Sequence, residues 1–109
     1  MKNLRLLEGK MHKYQLTNKA VLDLSAIWEY TVQTWSERQA DKYYFMLLDT
    51  CQDLANGKVS GKNYPEIHSD IFGFRAGQHI IFYRKIDVDK IEIARFVHTQ
   101  MDLKQRIQE

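Results

Sequence analysis

The sequence predicts an α+β domain: an antiparallel helical hairpin packed on one face of a small antiparallel sheet, in the order β-α-α-β-β-β with a short C-terminal helix. Between residues 20 and 55, apolar side chains recur at steps of three and four, the spacing of one helix face. Beyond the only proline, Pro65, three strand-like runs are separated by turns of two to four residues, too short for parallel crossovers. Each layer has an apolar side, and stacking the two buries both.

Residues 1–11 read as an N-terminal extension and residues 12–109 as one domain. Lys13-Tyr14-Gln15-Leu16-Thr17 alternates and predicts a short strand beside the meander. Ala20, Val21, Leu24, Ile27, Trp28, Thr31 and Trp35 form one helical stripe, with Thr17 or Asn18 as N-cap and an end near Thr34. Ser36, followed three residues later by Gln39, opens a second helix as a capping box. Its stripe runs through Ala40, Tyr43, Tyr44, Leu47, Leu48, Cys51, Leu54 and Ala55 until Asn56-Gly57 stops it. Asn56 to Asp70 is the one long loop. Strands follow at Ile71–Ala76, His79–Ile86 and Lys90–Val97, with turns at Gly77-Gln78 and Asp87-Val88-Asp89. Asp102-Leu103-Lys104-Gln105 is a capping pattern for the terminal helix.

At 109 residues, with 44% hydrophobic and 28% charged, the chain has the composition of one folded domain. Uninterrupted apolar runs such as Ile80 to Tyr83 and Tyr43 to Leu48 are far short of the roughly 20 residues of a membrane span. The first ten residues lack the apolar stretch of a secretion signal, so a cytoplasmic location is expected. Formal charge is +2, weak for a nucleic-acid binder, and it is unevenly spread. Residues 1–19 carry a net +4, residues 20–56 a net −4 and residues 57–109 a net +2. The acidic middle would repel phosphate, leaving the N-terminal residues or the C-terminal strands for any polyanion.

Several chemistries find no support in the residues. His12, His68, His79 and His98 are scattered without ligand spacing, so no metal or other cofactor is expected. The single cysteine, Cys51, sits on an apolar helical stripe as a small hydrophobe. Gly57-Lys58-Val59-Ser60-Gly61-Lys62 lacks the full phosphate-loop pattern and a preceding strand. The strand cations remain. Arg75, Arg84, Arg95 and His98, with Lys58 and Lys62, have the chemistry to steady a phosphorane while a histidine moves a proton, as in a metal-independent ribonuclease. Alternatively, each arginine pairs with Glu66, Asp70, Asp89 or Glu92 and the histidines only finish strands. Trp28, Trp35, Tyr43 and Tyr44 belong to the core in one reading and stack on bases in the other.

The chain resembles the ParE toxins of bacterial type II toxin–antitoxin modules, within the RelE/ParE superfamily. The likeness covers roughly residues 13–103: Tyr14-Gln15-Leu16-Thr17 with Ala20, Asp23 and Leu24; Ile27, Tyr30, Thr31, Trp35 and Gln39-Ala40; Arg75; His79-x-Ile81-Phe82-Tyr83-Arg84; and Ile93-x-Arg95-x-x-His98-x-x-Met101-Asp102. It implies a toxin that inhibits growth by poisoning DNA gyrase rather than by enzymatic action. The implied partner is a cognate ParD-like antitoxin, bound in a hetero-oligomer. Arg75, His79, Tyr83, Arg84, Arg95, His98, Met101 and Asp102 are the implied target-binding and toxicity residues. Ile27, Trp28, Tyr30, Thr31, Trp35 and Tyr44 would receive the antitoxin as a helix in a groove, with strand addition at the sheet edge as a second mode. RelE-like relatives instead cut messenger RNA on the ribosome, and Arg75, Arg95 and His98 would be the catalytic set here. The glutamate of that set has only Glu66 as a loose counterpart, which favours the gyrase branch.

Overall fold

The computed structural model describes residues 13–100. The extension at residues 1–11, the helix expected from Asp102, and Met101 and Asp102 themselves lie outside them. The elements are β1 (Lys13–Leu16), α1 (Asn18–Thr34), α2 (Glu37–Asn56), β2 (Lys62–Asn63), β3 (Phe72–Ala76), β4 (His79–Asp87) and β5 (Lys90–His98). Local chemistry sets their ends. The Thr17 hydroxyl accepts from the Ala20 N–H at 3.0 Å, and the Ser36 hydroxyl from the Gln39 N–H at 3.0 Å, each filling a donor that the first helical turn leaves open. Gly57 closes α2 at φ +78°, the left-handed conformation that glycine adopts without a Cβ penalty.

The strands form one sheet in the order β1-β5-β4-β3-β2. β3, β4 and β5 are the expected antiparallel meander, but β1 pairs with β5 in parallel, Tyr14 opposite Ile91 and Leu16 opposite Ile93. The sheet is therefore mixed rather than wholly antiparallel. Tight turns fix direction within the meander, whereas both helices and three strands separate β1 from β5, so no turn constrains their pairing. Lys62–Asn63, expected as loop, adds a two-residue strand on β3.

One register shift governs which side chains face which way. Phe82 pairs with Arg95 and Tyr83 with Ile93, leaving Ala94 as an extra residue in β5. Such a bulge reverses the alternation of everything beyond it. Phe96 consequently joins Ile93, Ile81 and Tyr83 in the core beneath the helices, with Ala20, Leu24, Leu47, Cys51 and Leu54. Arg95 and Val97 turn to the opposite face. There Ile71, Ile80, Phe82 and Val97 make a smaller second core, covered by Tyr64 and Ile67 of the long loop. Phe82, Leu47, Ile81 and Ile93 are fully buried, each worth about 1.5–3 kcal/mol of transfer free energy. Burial alone pushes the Cys51 thiol up to about 12, which keeps it from acting as a thiolate nucleophile.

Candidate functional site

The expected strand cations do not form one cluster. Arg84 donates from Nε to Asp70 at 3.2 Å and from Nη1 to Glu92 at 3.3 Å, two of the four carboxylates foreseen as structural partners. His68 shares Asp70 at 2.6 Å. Against the opposing effect of desolvation, Arg84 and then His68 hold the Asp70 carboxyl below its usual range. Arg95, 8% exposed, donates from Nε and Nη2 to the two oxygens of Asp23 at 2.7 and 3.0 Å, a bidentate pair. Asp23 was not among the expected partners. Its signal lay three residues after Ala20, where it sets a carboxylate on the inward arc of α1. Asp23 also accepts the Phe96 N–H at 3.0 Å. The Thr17 N–H donates to the Ile93 carbonyl at 3.1 Å and the Thr17 hydroxyl to the Ala94 carbonyl at 2.8 Å. The start of α1 thus continues the β5 ladder where β1 stops.

Tyr83 is 4% exposed, stacked on Phe72 with centroids 5.8 Å apart, and its hydroxyl accepts the Gly61 N–H at 2.8 Å. In this fold its ring packs and its hydroxyl anchors the loop.

The remaining expected residues, Arg75, His79 and His98, stand at the end of the sheet where β3 turns into β4 and β5 finishes, Arg75 opposite Ile80 and His79 opposite Ala76. His79 and His98 are directly opposed in the ladder, with centroids 5.3 Å apart and rings nearly perpendicular at 83°. Their side is set by the Ala94 bulge. Arg75 bends back and donates from Nε to the Gly77 carbonyl at 2.9 Å. The residue at the centre of this end is Tyr43, read in the sequence as a core-stripe ring or a base-stacking one. Its hydroxyl lies 2.6 Å from His79 Nδ1 and accepts the Gln78 N–H at 2.9 Å. Its ring covers Gly77, at φ +61°, so closely that a Cβ there would meet it at 2.8 Å. Burial raises the Tyr43 pKa, opposed by the Gln78 hydrogen bond and the charge of Arg75. Burial, aided by the His98 imidazole and opposed by Asp23, pushes His79 down to about 4. His79 is neutral at physiological pH.

The hairpin residues divide in two. Ile27, half-buried, packs against the main core, and the hydroxyl of Thr31, also half-buried, donates to the Ile27 carbonyl at 2.7 Å. Tyr30 and Trp35 are 66% and 74% exposed. Trp28 and Tyr44 line a cleft of about 410 Å³ between the helices, with Ser25, Glu29, Asp41 and Phe45, and Trp28 donates from Nε1 to Asp41 at 2.9 Å. Val21, Leu22 and Phe45 are further exposed apolar residues of the hairpin. Among the described residues, no group of three or more His, Cys, Asp or Glu is placed to hold a metal ion, and no helix is long and apolar enough to cross a membrane.

The helical hairpin on a small mixed sheet is a fold that this chain shares with a solved protein. A solved structure described as "Chromosomal ParDE TA system from P. aeruginosa" superposes with a TM-score of 0.68 at 19% identity, covering 83% of this chain and 98% of the other. The family profile described as "ParE toxin of type II toxin-antitoxin system, parDE" matches residues 14–103. This chain belongs to that family. It is 32% identical over 92 residues to "Toxin ParE1" of Caulobacter vibrioides, covering 84% of this chain and 94% of that one. It is 30% identical over 91 residues to "Toxin ParE1" of Mycobacterium tuberculosis, covering 84% and 93%.

Proposed function

We propose that this ParE-family toxin inhibits growth in the cytoplasm by binding and poisoning DNA gyrase, and that a cognate ParD-like antitoxin neutralises it within a hetero-oligomer. The observation that carries the reading is the family match across residues 14–103. The site's geometry supports binding over RNA cleavage. Of Arg75, Arg95 and His98, Arg95 has two guanidinium nitrogens committed to Asp23, and Glu66 is an exposed residue of the long loop. Toxicity falls to the end of the sheet, with Arg75, His79 and His98 as its contacts. The antitoxin's amphipathic segment covers the outer cleft of the hairpin, anchored at Trp28, Tyr30, Trp35 and Tyr44.

Purified protein added to a gyrase supercoiling reaction is expected to inhibit it, and addition to ribosomes carrying messenger RNA to leave the message intact. Cleavage of the message with unaffected supercoiling would reverse the reading in favour of the ribonuclease. Trp35→Ala and Tyr30→Ala together are expected to weaken antitoxin capture in co-purification while growth arrest is kept.

A further inference from the structure

The outer cleft between α1 and α2 joins aromatic rings to carboxylates and has no cation in its lining. Ser25, Trp28 and Glu29 come from α1, and Asp41, Tyr44 and Phe45 from α2. Each set has the i, i+3, i+4 spacing that puts side chains on one helix face. Trp28 and Asp41 meet across the cleft, where the indole Nε1–H donates to Oδ1 at 2.9 Å. That bond ties the two helices and sets a carboxylate beside a ring. Tyr44 and Phe45 stand edge to face, with centroids 5.4 Å apart and planes at 86°. Among the described residues the ion pairs lie elsewhere, at Asp23, Asp70 and Glu92. Glu29 and Asp41 have no such partner, and the neighbouring cations of α2, Arg38 and Lys42, pair with neither. Residues 20–56 carry a net −4, so the wider field also favours a cation here.

We propose that this cleft is a binding site for an arginine side chain of the polypeptide that docks on the hairpin. A guanidinium is flat, weakly hydrated and always charged, so it gains from aromatic rings and from carboxylates at once. The cleft supplies both kinds of group, the rings of Trp28, Tyr44 and Phe45 and the charges of Glu29 and Asp41. Asp41 takes the indole on one oxygen and keeps the other for the guanidinium fork. A lysine ammonium is the poorer match, because its compact charge is strongly hydrated and loses more on meeting rings. An acidic side chain would be repelled by both carboxylates, and an apolar one would gain nothing from them. The proposal deepens the antitoxin reading of the hairpin, on which it rests in naming a polypeptide as the source of the arginine. Its test uses neither antitoxin nor gyrase, so the two fail separately.

Trp28 is its own reporter. The chain has two tryptophans, so a proton–nitrogen spectrum of the full chain holds two indole signals, and Trp35→Phe identifies that of Trp28. At low salt, N-acetyl-arginine methylamide should shift the Trp28 indole signal saturably, with half-saturation in the millimolar range. Added salt should weaken the binding. The lysine analogue should bind several-fold less tightly, and the neutral citrulline analogue should give no saturable response. Asp41→Asn keeps an oxygen for the indole and removes the charge, and should weaken the arginine amide about tenfold. Should Asp41→Asn alter the circular dichroism, Glu29→Gln decides the matter, its side chain being exposed, with a loss of several-fold expected. An absent or unsaturable response, a lysine or citrulline response as strong as that of arginine, or an unchanged affinity in the charge-removing variant would each overturn the proposal.

Discussion

Arg95 and Arg75 stand on neighbouring parts of one sheet and meet opposite environments. Arg95 is buried and clasped by Asp23, which in turn holds the Phe96 N–H. Arg75 is exposed and, among the described residues, tied through Nε to a turn carbonyl. The first arginine completes an edge of the fold, and the second is left for something outside it. A cation in a sequence thus says little until its partner is known, because the partner decides between structure and recognition.

The comparison breaks most visibly at Asp23. Asp23→Ala strands the Arg95 charge and opens the Phe96 N–H, and is expected to cost about 3–5 kcal/mol by urea denaturation. Replacing Arg95 and Asp23 together with apolar residues should recover part of that loss. Equal costs for the single and double variants would show that the pair is not what holds this edge.

A smaller effect is expected at the other end. Gly77→Ala places a Cβ into the Tyr43 ring at a positive φ and should destabilise by about 1–3 kcal/mol, with loss of growth arrest as Tyr43 is pushed off His79. Loss of stability with toxicity intact would separate the turn from the site.

The third effect depends on pH. His79 titrates at about 4 in the folded chain and near 6.5 when unfolded. Between these values unfolding takes up about one proton, so this contribution to stability is fully present above about pH 6.5 and declines as pH falls towards 4. Burial sets this shift first, then the His98 imidazole, with Asp23 opposing both, and the Tyr43 hydroxyl lies against Nδ1. His79→Gln should flatten that part of the stability–pH curve; an unaltered curve would assign the slope to other groups. Smallest for the fold is Arg75→Ala, expected to change stability by less than about 0.5 kcal/mol while abolishing growth arrest. A toxic Arg75→Ala would remove Arg75 from the recognition surface.

What the sequence made legible was local. Thr17, Ser36 and Gly57 announced the helix ends, and Gly77-Gln78 the turn, because caps and turns are settled within a few residues. The apolar stripes gave the hairpin and most of the core. Pairings distant along the chain were hidden. Asp23 and Arg95 are 72 residues apart, and the parallel seat of β1 has no turn to mark it. The Ala94 bulge escaped notice because no residue preference marks it, yet it decides which face of the sheet Arg95 takes and which His98 takes. Tyr43 was absorbed into an apolar stripe, since periodicity reports which way a ring points and not what its hydroxyl reaches. Tyr83 carried two signals: its place in a family-like run suggested contact with a target, while alternation along β4 put it beside Ile81 in the core, where it is found.

The ladder that Thr17 and Asp23 extend along β5 also bears on how the unbound toxin survives in a crowded cell. An open strand edge invites other chains to add to it and is a common start of aggregation. Beyond Leu16 that invitation is withdrawn: the Ile93 and Ala94 carbonyls and the Phe96 N–H are occupied from within. An intruding strand would first have to detach Asp23 from Arg95. The same carboxylate that steadies the fold therefore acts as a gatekeeper, making stray self-association along this stretch conditional on partial unfolding.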